Sequence, residues 1–357
     1  MSTKDGMNYA PQGKPAPVVE KGEFPIAVIG LDHGHIHGQC NGLIEAGADL
    51  RYVYDPDPAK IEAFRQKFPT VQVASSEEQI LDDPAIKLVA AAAIPNQRGP
   101  LGLRVMDSGK DYFTDKTPFT SMDQLEAARK KVAETGRKYA VYYSERLHVE
   151  CAIFAGELIE QGAIGRVLQV VGFGPHRLGD PSKRPDWFYR KKEYGGILTD
   201  IGSHQCEQFL HYTGATDATI NSARVANFNH PDYPELEDFG EASLAGDNGA
   251  SFYFRVDWFT PEGLSTWGDG RTFILGTDGY IELRKYIEIA TGRKGNQLYL
   301  VNQDGEQHMD LNGKVGYPYF GQLVLDCLNR TENAMTQTHA FKAAELCLQA
   351  QEKAEAG

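Results

Sequence analysis

The stretch Pro25-Ile-Ala-Val-Ile-Gly-Leu-Asp-His-Gly-His35 joins a short apolar run to a turn that contains glycine. The apolar run predicts a buried strand, and the residues from about His35 to Ala46 predict a helix directly after the turn. Leu50-Arg-Tyr-Val-Tyr54 predicts a second strand, which ends at Asp55. A strand, a turn, a helix and a second strand begin a βαβ unit, so the pattern favours a parallel sheet.

The same alternation continues to residue 146. Further strands are predicted at 71–74, 87–94, 112–114 and 138–143, and further helices at 59–68, at 100–108 and after Ser121. Short βαβ steps imply helices on both faces of the sheet. The sequence therefore predicts an α/β fold whose residues 24–146 form a Rossmann-type, doubly wound, dinucleotide-binding domain. Residues 1–23, which are rich in proline and charge, are predicted to be a flexible arm.

Longer strand-like runs and few helices follow residue 147. After a helix at 151–161, strands are predicted at 167–173, 219–228, 241–258, 271–275, 280–283 and 297–301, and closing helices at 319–329 and 339–356. This pattern predicts an α+β domain over residues 147–357 with a large, mainly antiparallel sheet. We expect it to bind substrate and to mediate oligomerisation, and its last helix could return to the Rossmann domain.

Composition excludes several classes of function. The formal net charge of −13 argues against a nucleic-acid or anionic-membrane surface. No stretch is long and apolar enough to span a bilayer. The five cysteines are scattered without metal-binding spacing, as expected of small apolar residues in a reducing compartment, so we predict a cytoplasmic protein. A reactive role for Cys206, close to His204, is the less favoured alternative.

The turn after the first strand predicts a cofactor site. A diphosphate binds where a strand leads through glycine into a helix N-terminus, and Asp55 stands where a carboxylate binds the adenosine ribose. This carboxylate, with no arginine beside it, favours NAD over NADP. The glycine spacing is irregular, because a GxGxxG pattern would place glycine at positions 32 and 35. The predicted cofactor-binding residues of the turn are Gly30, Leu31, Asp32, His33, Gly34 and His35.

Three histidines in this turn, at positions 33, 35 and 37, raise the question of a metal site. His33 and His37 would share a helix face, but no cysteine or glutamate follows to complete a ligand shell. We therefore predict no metal and expect the rings to line the turn or the active-site cleft.

The segment Gly195-Gly-Ile-Leu-Thr-Asp-Ile-Gly-Ser-His204 predicts a catalytic pair. If Thr199 caps a helix, Asp200 and His204 lie one turn apart on the same face. A carboxylate that orients an imidazole makes a general base that works near neutral pH. The alternative is a buried histidine satisfied by a helix-capping aspartate.

Together these segments resemble the glucose–fructose oxidoreductase / inositol dehydrogenase (Gfo/Idh/MocA) family of two-domain, NAD(P)-dependent sugar and polyol oxidoreductases. The nucleotide turn at 26–34 carries part of the likeness. Gly109-Lys-Asp-Tyr-Phe-Thr-Asp-Lys-Thr-Pro118 is similar to the family's aGKhVxxEKP segment, with the proline one position later. Gly195–His204 is similar to its GGxxxDxGxH helix, and 270–282 is also typical of it.

The resemblance implies that Lys116, Asp200 and His204 form the catalytic group. It also implies that Ile94-Pro95-Asn96, and Lys116 itself, run beside the cofactor. In this interpretation His204 removes the proton of a secondary hydroxyl, Asp200 holds the imidazole, Lys116 donates a hydrogen bond to the substrate oxygen, and NAD accepts the hydride. The alternative for Lys116 is a surface lysine paired with Asp115.

The predicted activity is thus the NAD-dependent oxidation of a sugar, inositol or related polyol. Two other functions stay open: an enzyme that retains NAD and uses transient oxidation for elimination or glycosidic cleavage, and a non-catalytic sugar or nucleotide sensor. Candidate substrate-binding residues, besides the catalytic three, are Arg146, Arg184, Trp187 and Tyr189, because arginine and aromatic side chains suit polyhydroxylated ligands. An equally favoured alternative is that the aromatic residues at 187–189 anchor their own loop.

Self-association is also predicted. The runs at 167–173 and 241–258 could present a broad apolar sheet face, and such faces are usually covered. We therefore expect a homodimer or homotetramer.

Overall fold

A computed structural model describes residues 4–357 of the 357-residue chain. The described chain divides into two compact units. We call residues 7–142 and 317–341 the Rossmann unit, and residues 4–6, 143–316 and 342–357 the sheet unit. Within 4–357, no helix combines the length and the apolar character that a membrane span requires.

The Rossmann unit is built on a parallel sheet of six strands in the order β3-β2-β1-β4-β5-β6. The strands are β1 Pro25–Ile29, β2 Asp49–Tyr54, β3 Gln72–Val73, β4 Leu88–Ala91, β5 Asp111–Asp115 and β6 Tyr139–Tyr142. Every neighbouring pair is parallel, and β1, β4, β5 and β6 are buried along their whole length. The predicted doubly wound sheet is therefore confirmed. The strand order reverses between β1 and β4, which is where such sheets bind their ligands.

Five helices connect these strands: α1 Ile36–Glu45, α2 Pro58–Arg65, α3 Glu77–Leu81, α4 Pro95–Asp107 and α5 Met122–Thr135. Ser121 caps α5 as predicted, since its hydroxyl accepts the backbone N–H of Gln124. The predicted start of α4 at residue 100 is wrong. The helix begins at Pro95, because proline is well suited to a first helical position, and Pro100 lies inside the helix.

Part of the stretch predicted to be a flexible arm packs within the Rossmann unit, whereas residues 1–3 of that stretch lie outside the described residues. The backbone N–H groups of Ala16 and Val18 donate to the carbonyls of Glu45 and Ala46 at the end of α1, at 2.8 and 2.9 Å. Near the nucleotide turn, a Cβ on Gly34 would lie 2.5 Å from the carbonyl oxygen of Met7. Residues 7–18 therefore follow α1 in close contact with it.

The sheet unit contains an eight-stranded sheet in the order β16-β15-β12-β11-β7-β10-β9-β8. Its strands are β7 Val167–Pro175, β8 Ala218–Ala226, β9 Phe239–Gly246, β10 Ser251–Asp257, β11 Arg271–Gly276, β12 Gly279–Arg284, β15 Gln297–Asn302 and β16 Gly305–Asp310; β13 Ile287–Glu288 and β14 Arg293–Lys294 form a separate hairpin. Neighbours are antiparallel except β7 and β10. This confirms the mainly antiparallel sheet.

Two strand predictions in this unit need correction. The run at 241–258 is not one strand but the hairpin β9–β10, because Asp247-Asn-Gly249 forms a turn in which Gly249 has a φ of +84°. The edge strand β16 was not predicted, since its sequence GEQHMD is polar and almost entirely exposed.

The helices of the sheet unit are α6 Ser144–Leu147, α7 Glu150–Glu160, α8 Lys191–Tyr194, α9 Ile197–Asp200 and α10 Gly202–Thr213. Helix α10 lies on β7 and β10, and glycines in β7 allow the close approach: a Cβ on Gly172 would lie 2.3 Å from Oε1 of Gln205. Helix α11, Pro318–Asn329, belongs to the Rossmann unit, and α12, Gln337–Ala356, begins there. The Gln337 side chain bonds to the backbone of Tyr139 in β6, within the Rossmann unit.

Candidate active site

The turn after β1 has the close packing that a nucleotide site needs. Gly30 has a φ of +84°, and a Cβ there would lie 3.0 Å from Cβ of Ala93, which follows β4. The backbone N–H of His33 donates to the carbonyl of Ala92 at 2.9 Å. The ends of β1 and β4 therefore adjoin, so the predicted cofactor residues 30–35 and 94–96 follow neighbouring strands of the sheet.

Asp55 comes directly after β2 and faces the same turn. Its carboxylate accepts the backbone N–H groups of Leu31 at 2.7 Å and Asp57 at 2.9 Å. Burial raises the pKa of this carboxyl, although the two N–H groups and the Lys60 ammonium oppose that shift. A carboxylate held beside the turn in this way can accept the hydroxyls of an adenosine ribose.

Buried charge surrounds the end of β5. Asp115 has a fully buried side chain and lies 3.0 Å from Nδ1 of His35, 3.3 Å from Nδ1 of His33 and 3.3 Å from Nη2 of Arg98. Burial alone would raise the pKa of the Asp115 carboxyl, but His35, Arg98 and His33 hold it well below its usual range. The pKa of His33 is lowered by burial and by His35, so its ring is neutral at neutral pH.

These three side chains are also close enough to ligate a metal, with their ligand atoms within 4.8 Å of one another. The tertiary fold supplies a carboxylate, Asp115, that the sequence spacing did not suggest. However, the Arg98 guanidinium already pairs with this carboxylate and disfavours a second cation. The absence of a metal stays a prediction.

Lys116 follows Asp115 and is only 4% exposed. The alternative of a surface lysine is therefore wrong, because the fold encloses the residue after β5. Arg98 of α4 donates to the carbonyls of Lys116 and, at 2.7 Å, of Ala93, so it ties the ends of β4 and β5 together. The peptide bond between Lys116 and Thr117 is cis. Sequence reasoning missed Arg98, since nothing in the motif indicates a partner 18 residues upstream.

In the sheet unit, Asp200 and His204 stand on two almost continuous helical turns. Gly195 and Gly196 have φ values of +89° and +92°, and α9 starts directly after them. The predicted cap at Thr199 is wrong: α9 already begins at Ile197, so Thr199 lies inside it with a buried side chain. Asp200 ends α9 and His204 is in the first turn of α10, so the spacing of one helical turn does hold.

A buried charge network lies beneath this pair. Glu145 of α6 accepts the Lys285 ammonium and the Gln205 amide, both at 3.0 Å, and Lys285 also donates to Gln208 at 2.6 Å. Burial works against ionisation of Glu145, but Lys285, His204 and His176 lower the pKa of its carboxyl to about 2. No sequence motif indicates this network, because its members lie on three separate segments.

The other predicted substrate-binding residues have polar groups engaged within the chain. Arg146 forms a bidentate, buried pair with Glu207. Arg184 donates to two backbone carbonyls of its own loop and lies 4.8 Å above the ring of Phe188. The Arg184 contacts lie within the loop before α8, whereas the Arg146–Glu207 pair joins α6 to α10.

The aromatic pair of that loop is similarly packed. The Tyr189 hydroxyl donates to the carbonyl of Pro181 at 2.8 Å, and its ring stacks on Tyr233 at 3.9 Å. Trp187 is 8% exposed. Nearby in sequence, Cys206 is fully buried in α10, and burial raises the pKa of its thiol, which argues against a nucleophilic role.

Comparison with known proteins identifies the family. The model of an oxidoreductase family with an NAD-binding Rossmann fold matches residues 24–143, and that of the GFO/IDH/MocA C-terminal domain matches residues 154–282. The chain is 26% identical over 262 residues to scyllo-inositol 2-dehydrogenase (NAD(+)) of Bacillus subtilis (strain 168), covering 71% of this chain and 72% of that one.

Solved structures of similar fold support the same assignment. A candidate oxidoreductase from Erwinia carotovora atroseptica SCRI1043 is 53% identical, with a TM-score of 0.90 over 93% of this chain and 98% of that chain. A levoglucosan dehydrogenase in complex with NADH and levoglucosan shares the fold at 17% identity, with a TM-score of 0.75 over 93% and 97% of the two chains. The chain therefore belongs to the GFO/IDH/MocA family of oxidoreductases, and its cofactor is NAD, bound by the Rossmann fold.

Proposed function

We propose that this oxidoreductase oxidises a secondary hydroxyl of a sugar, inositol or related polyol. The observation that carries the proposal is the Asp200–His204 pair, one helical turn apart and beside the buried anion Glu145. The curated relatives support the substrate class: besides the inositol enzyme, D-xylose dehydrogenase of Paenarthrobacter nicotinovorans is 28% identical over 174 residues, 47% of this chain and 42% of that one.

Each proposed catalytic residue has a defined chemical task. His204 accepts the hydroxyl proton on its imidazole, while Asp200 orients the ring and stabilises the imidazolium. The Lys116 ammonium donates a hydrogen bond to the substrate oxygen as negative charge develops on it. Bound NAD supplies the hydride acceptor. Residues 30–35, Asp55 and 94–96 are proposed to hold the cofactor.

The test combines a substrate panel with three variants. Purified protein is mixed with NAD⁺ and with sugars and polyols, and NADH formation is followed by absorbance. His204→Ala, Asp200→Asn and Lys116→Met should each lower turnover by about 10²- to 10⁴-fold. His204→Ala and Asp200→Asn should leave the Kd for NAD⁺ unchanged by calorimetry. His211→Ala, which changes an exposed histidine of the same helix, is the matched control and should stay active.

The outcomes separate the competing functions. NADH that accumulates with one class of polyol supports the proposal. Cleavage of a substrate without NADH indicates retained NAD and transient oxidation, and binding without any turnover indicates a sensor. Full turnover by His204→Ala would remove the histidine from the mechanism.

We also propose that the outer face of the eight-stranded sheet mediates self-association into a homodimer or homotetramer. Phe273 and Leu275 are each 37% exposed there, and direct cross-strand pairing puts Val171, Tyr253 and Tyr280 on the same side. Gln169 and Glu282 lie on the same side, so the face is a mixture of apolar and polar residues. Large exposed apolar side chains that cluster on a sheet face are often covered by a partner. Light scattering should show Phe273→Glu with a lower mass than wild type. Gln307→Glu, on the exposed strand β16, should not change the mass.

A further inference from the structure

The nucleotide turn contains a charge that a diphosphate should not tolerate. Asp32 stands where the glycine fingerprint has its second glycine, and Asp55 lies at the end of the neighbouring strand. Two carboxylates near one diphosphate would repel it, since like charges a few ångströms apart in a partly buried site interact strongly. The side chain of Asp32 is 14% exposed and that of Asp55 is 1% exposed, so solvent screens neither charge well.

Lys60 supplies the missing positive charge. It lies in the first turn of α2, and its ammonium is 2.6 Å from Oδ1 of Asp32 and 3.9 Å from Oδ1 of Asp55. One cation thus faces both carboxylates. The position of Lys60 follows from the fold. Helix α2 starts at Pro58, shortly after Asp55, and Lys60 is its third residue, which faces Asp32.

We propose that Lys60 is a cofactor-binding residue, whose ammonium neutralises Asp32 and allows the NAD diphosphate to occupy this turn. In this arrangement the Asp32–Lys60 pair replaces the glycine of the usual fingerprint. The Lys60 ammonium is 3.9 Å from Asp55, too far to donate a hydrogen bond to it, so the Asp55 carboxylate can still accept hydrogen bonds from the ribose hydroxyls. The inference concerns NAD binding and holds whether or not His204 is the catalytic base.

A double-mutant cycle on NAD⁺ affinity tests the pair. Calorimetry with NAD⁺ would compare wild type, Lys60→Met, Asp32→Asn and the double variant. Removing the lysine alone leaves Asp32 charged against the diphosphate and should raise Kd about tenfold at low salt. The double variant has no charge to neutralise, so its Kd should return to within about threefold of wild type. Raising the ionic strength should shrink the effect of Lys60→Met.

Two controls isolate the local charge. Lys67→Met removes the same charge just after α2 without an acidic partner, and its Kd should match wild type. Lys60→Arg keeps the charge and should bind NAD⁺ nearly as well as wild type. Thermal melts check that each variant is folded. The proposal is overturned if Lys60→Met changes Kd by less than about threefold, or if Asp32→Asn fails to rescue it.

Discussion

The buried pair of Glu145 and Lys285 provides the sharpest test of how the sheet unit is held together. The Lys285 side chain is fully buried, and its ammonium donates hydrogen bonds to Glu145 and Gln208. Lys285→Met keeps most of the length of the side chain and removes the charge. The carboxylate of Glu145 is then left in the interior with the Gln205 amide but without its cation. Breaking one side of a buried ion pair typically costs about 3–5 kcal/mol, and we expect that loss in the free energy of unfolding.

The pKa of Glu145 gives an independent magnitude. The carboxyl titrates at about 2 in the folded protein, compared with 4.5 for an ordinary glutamate, which corresponds to about 3 kcal/mol. Because folding favours the ionised form, this stabilisation is complete above about pH 4.5. It is lost as the pH falls from there toward about 2.

Urea unfolding of wild type, Lys285→Met, Glu145→Gln and the double variant would measure both effects. We expect each single variant to be less stable than the double variant, because the double variant buries no unpaired charge. The stability advantage of wild type over the double variant should shrink below pH 4.5. Lys294→Met, an exposed lysine on β14, should cost less than about 0.5 kcal/mol. A Lys285→Met protein within about 1 kcal/mol of wild type, or a pH-independent difference, would refute this reasoning.

Three further changes probe the packing of each unit. Gly42→Ala would place its Cβ 2.5 Å from a ring of α11 and should cost about 1–3 kcal/mol in thermal unfolding, whereas Gly263→Ala has nothing within 4 Å and should be neutral. Asp238→Ala removes the acceptor of two backbone N–H groups and one imidazole, all at 2.8 Å, and should cost about 2–3 kcal/mol by urea titration. Arg98→Met leaves buried Asp115 without its guanidinium and should lower the free energy of unfolding, measured by urea titration. A loss below about 1 kcal/mol would contradict the role of Arg98 as the cation that compensates Asp115.

Periodicity located the six parallel strands of the Rossmann unit and most of the longer helices, but it located neither β16 nor the break between β9 and β10. The parallel strands of the Rossmann unit are short apolar runs buried on both faces, and such runs are visible in sequence without any partner. The polar strand β16 gives no such signal, because both of its faces are exposed at a sheet edge. The hairpin β9–β10 was merged into one run for a related reason: Asp247-Asn-Gly249 is short, and apolar residues flank it on both sides.

Local rules failed where the fold overrides them. The sequence around Pro100 suggested a helix start there, but the helix begins at Pro95 and continues through the second proline. Thr199 has the right chemistry for a cap. However, the two left-handed glycines at 195 and 196 already end the preceding segment, so α9 starts before the threonine. In both cases a stronger backbone signal lies a few residues upstream of the weaker one.

A sequence motif indicates the proposed reactive residues but not the charged residues that compensate their neighbours, because those residues lie far away in sequence. Lys116 adjoins Asp115, which pairs with the Arg98 guanidinium and contacts His33 and His35 of the turn after β1. His204 is affected by Glu145, whose charge is balanced by Lys285 more than a hundred residues away. Each partner comes from a different segment of the same unit, so only the tertiary fold identifies it. Because an uncompensated buried charge is costly, a change to either partner should alter folding as well as catalysis, whereas a change to the reactive residue alone should chiefly affect catalysis.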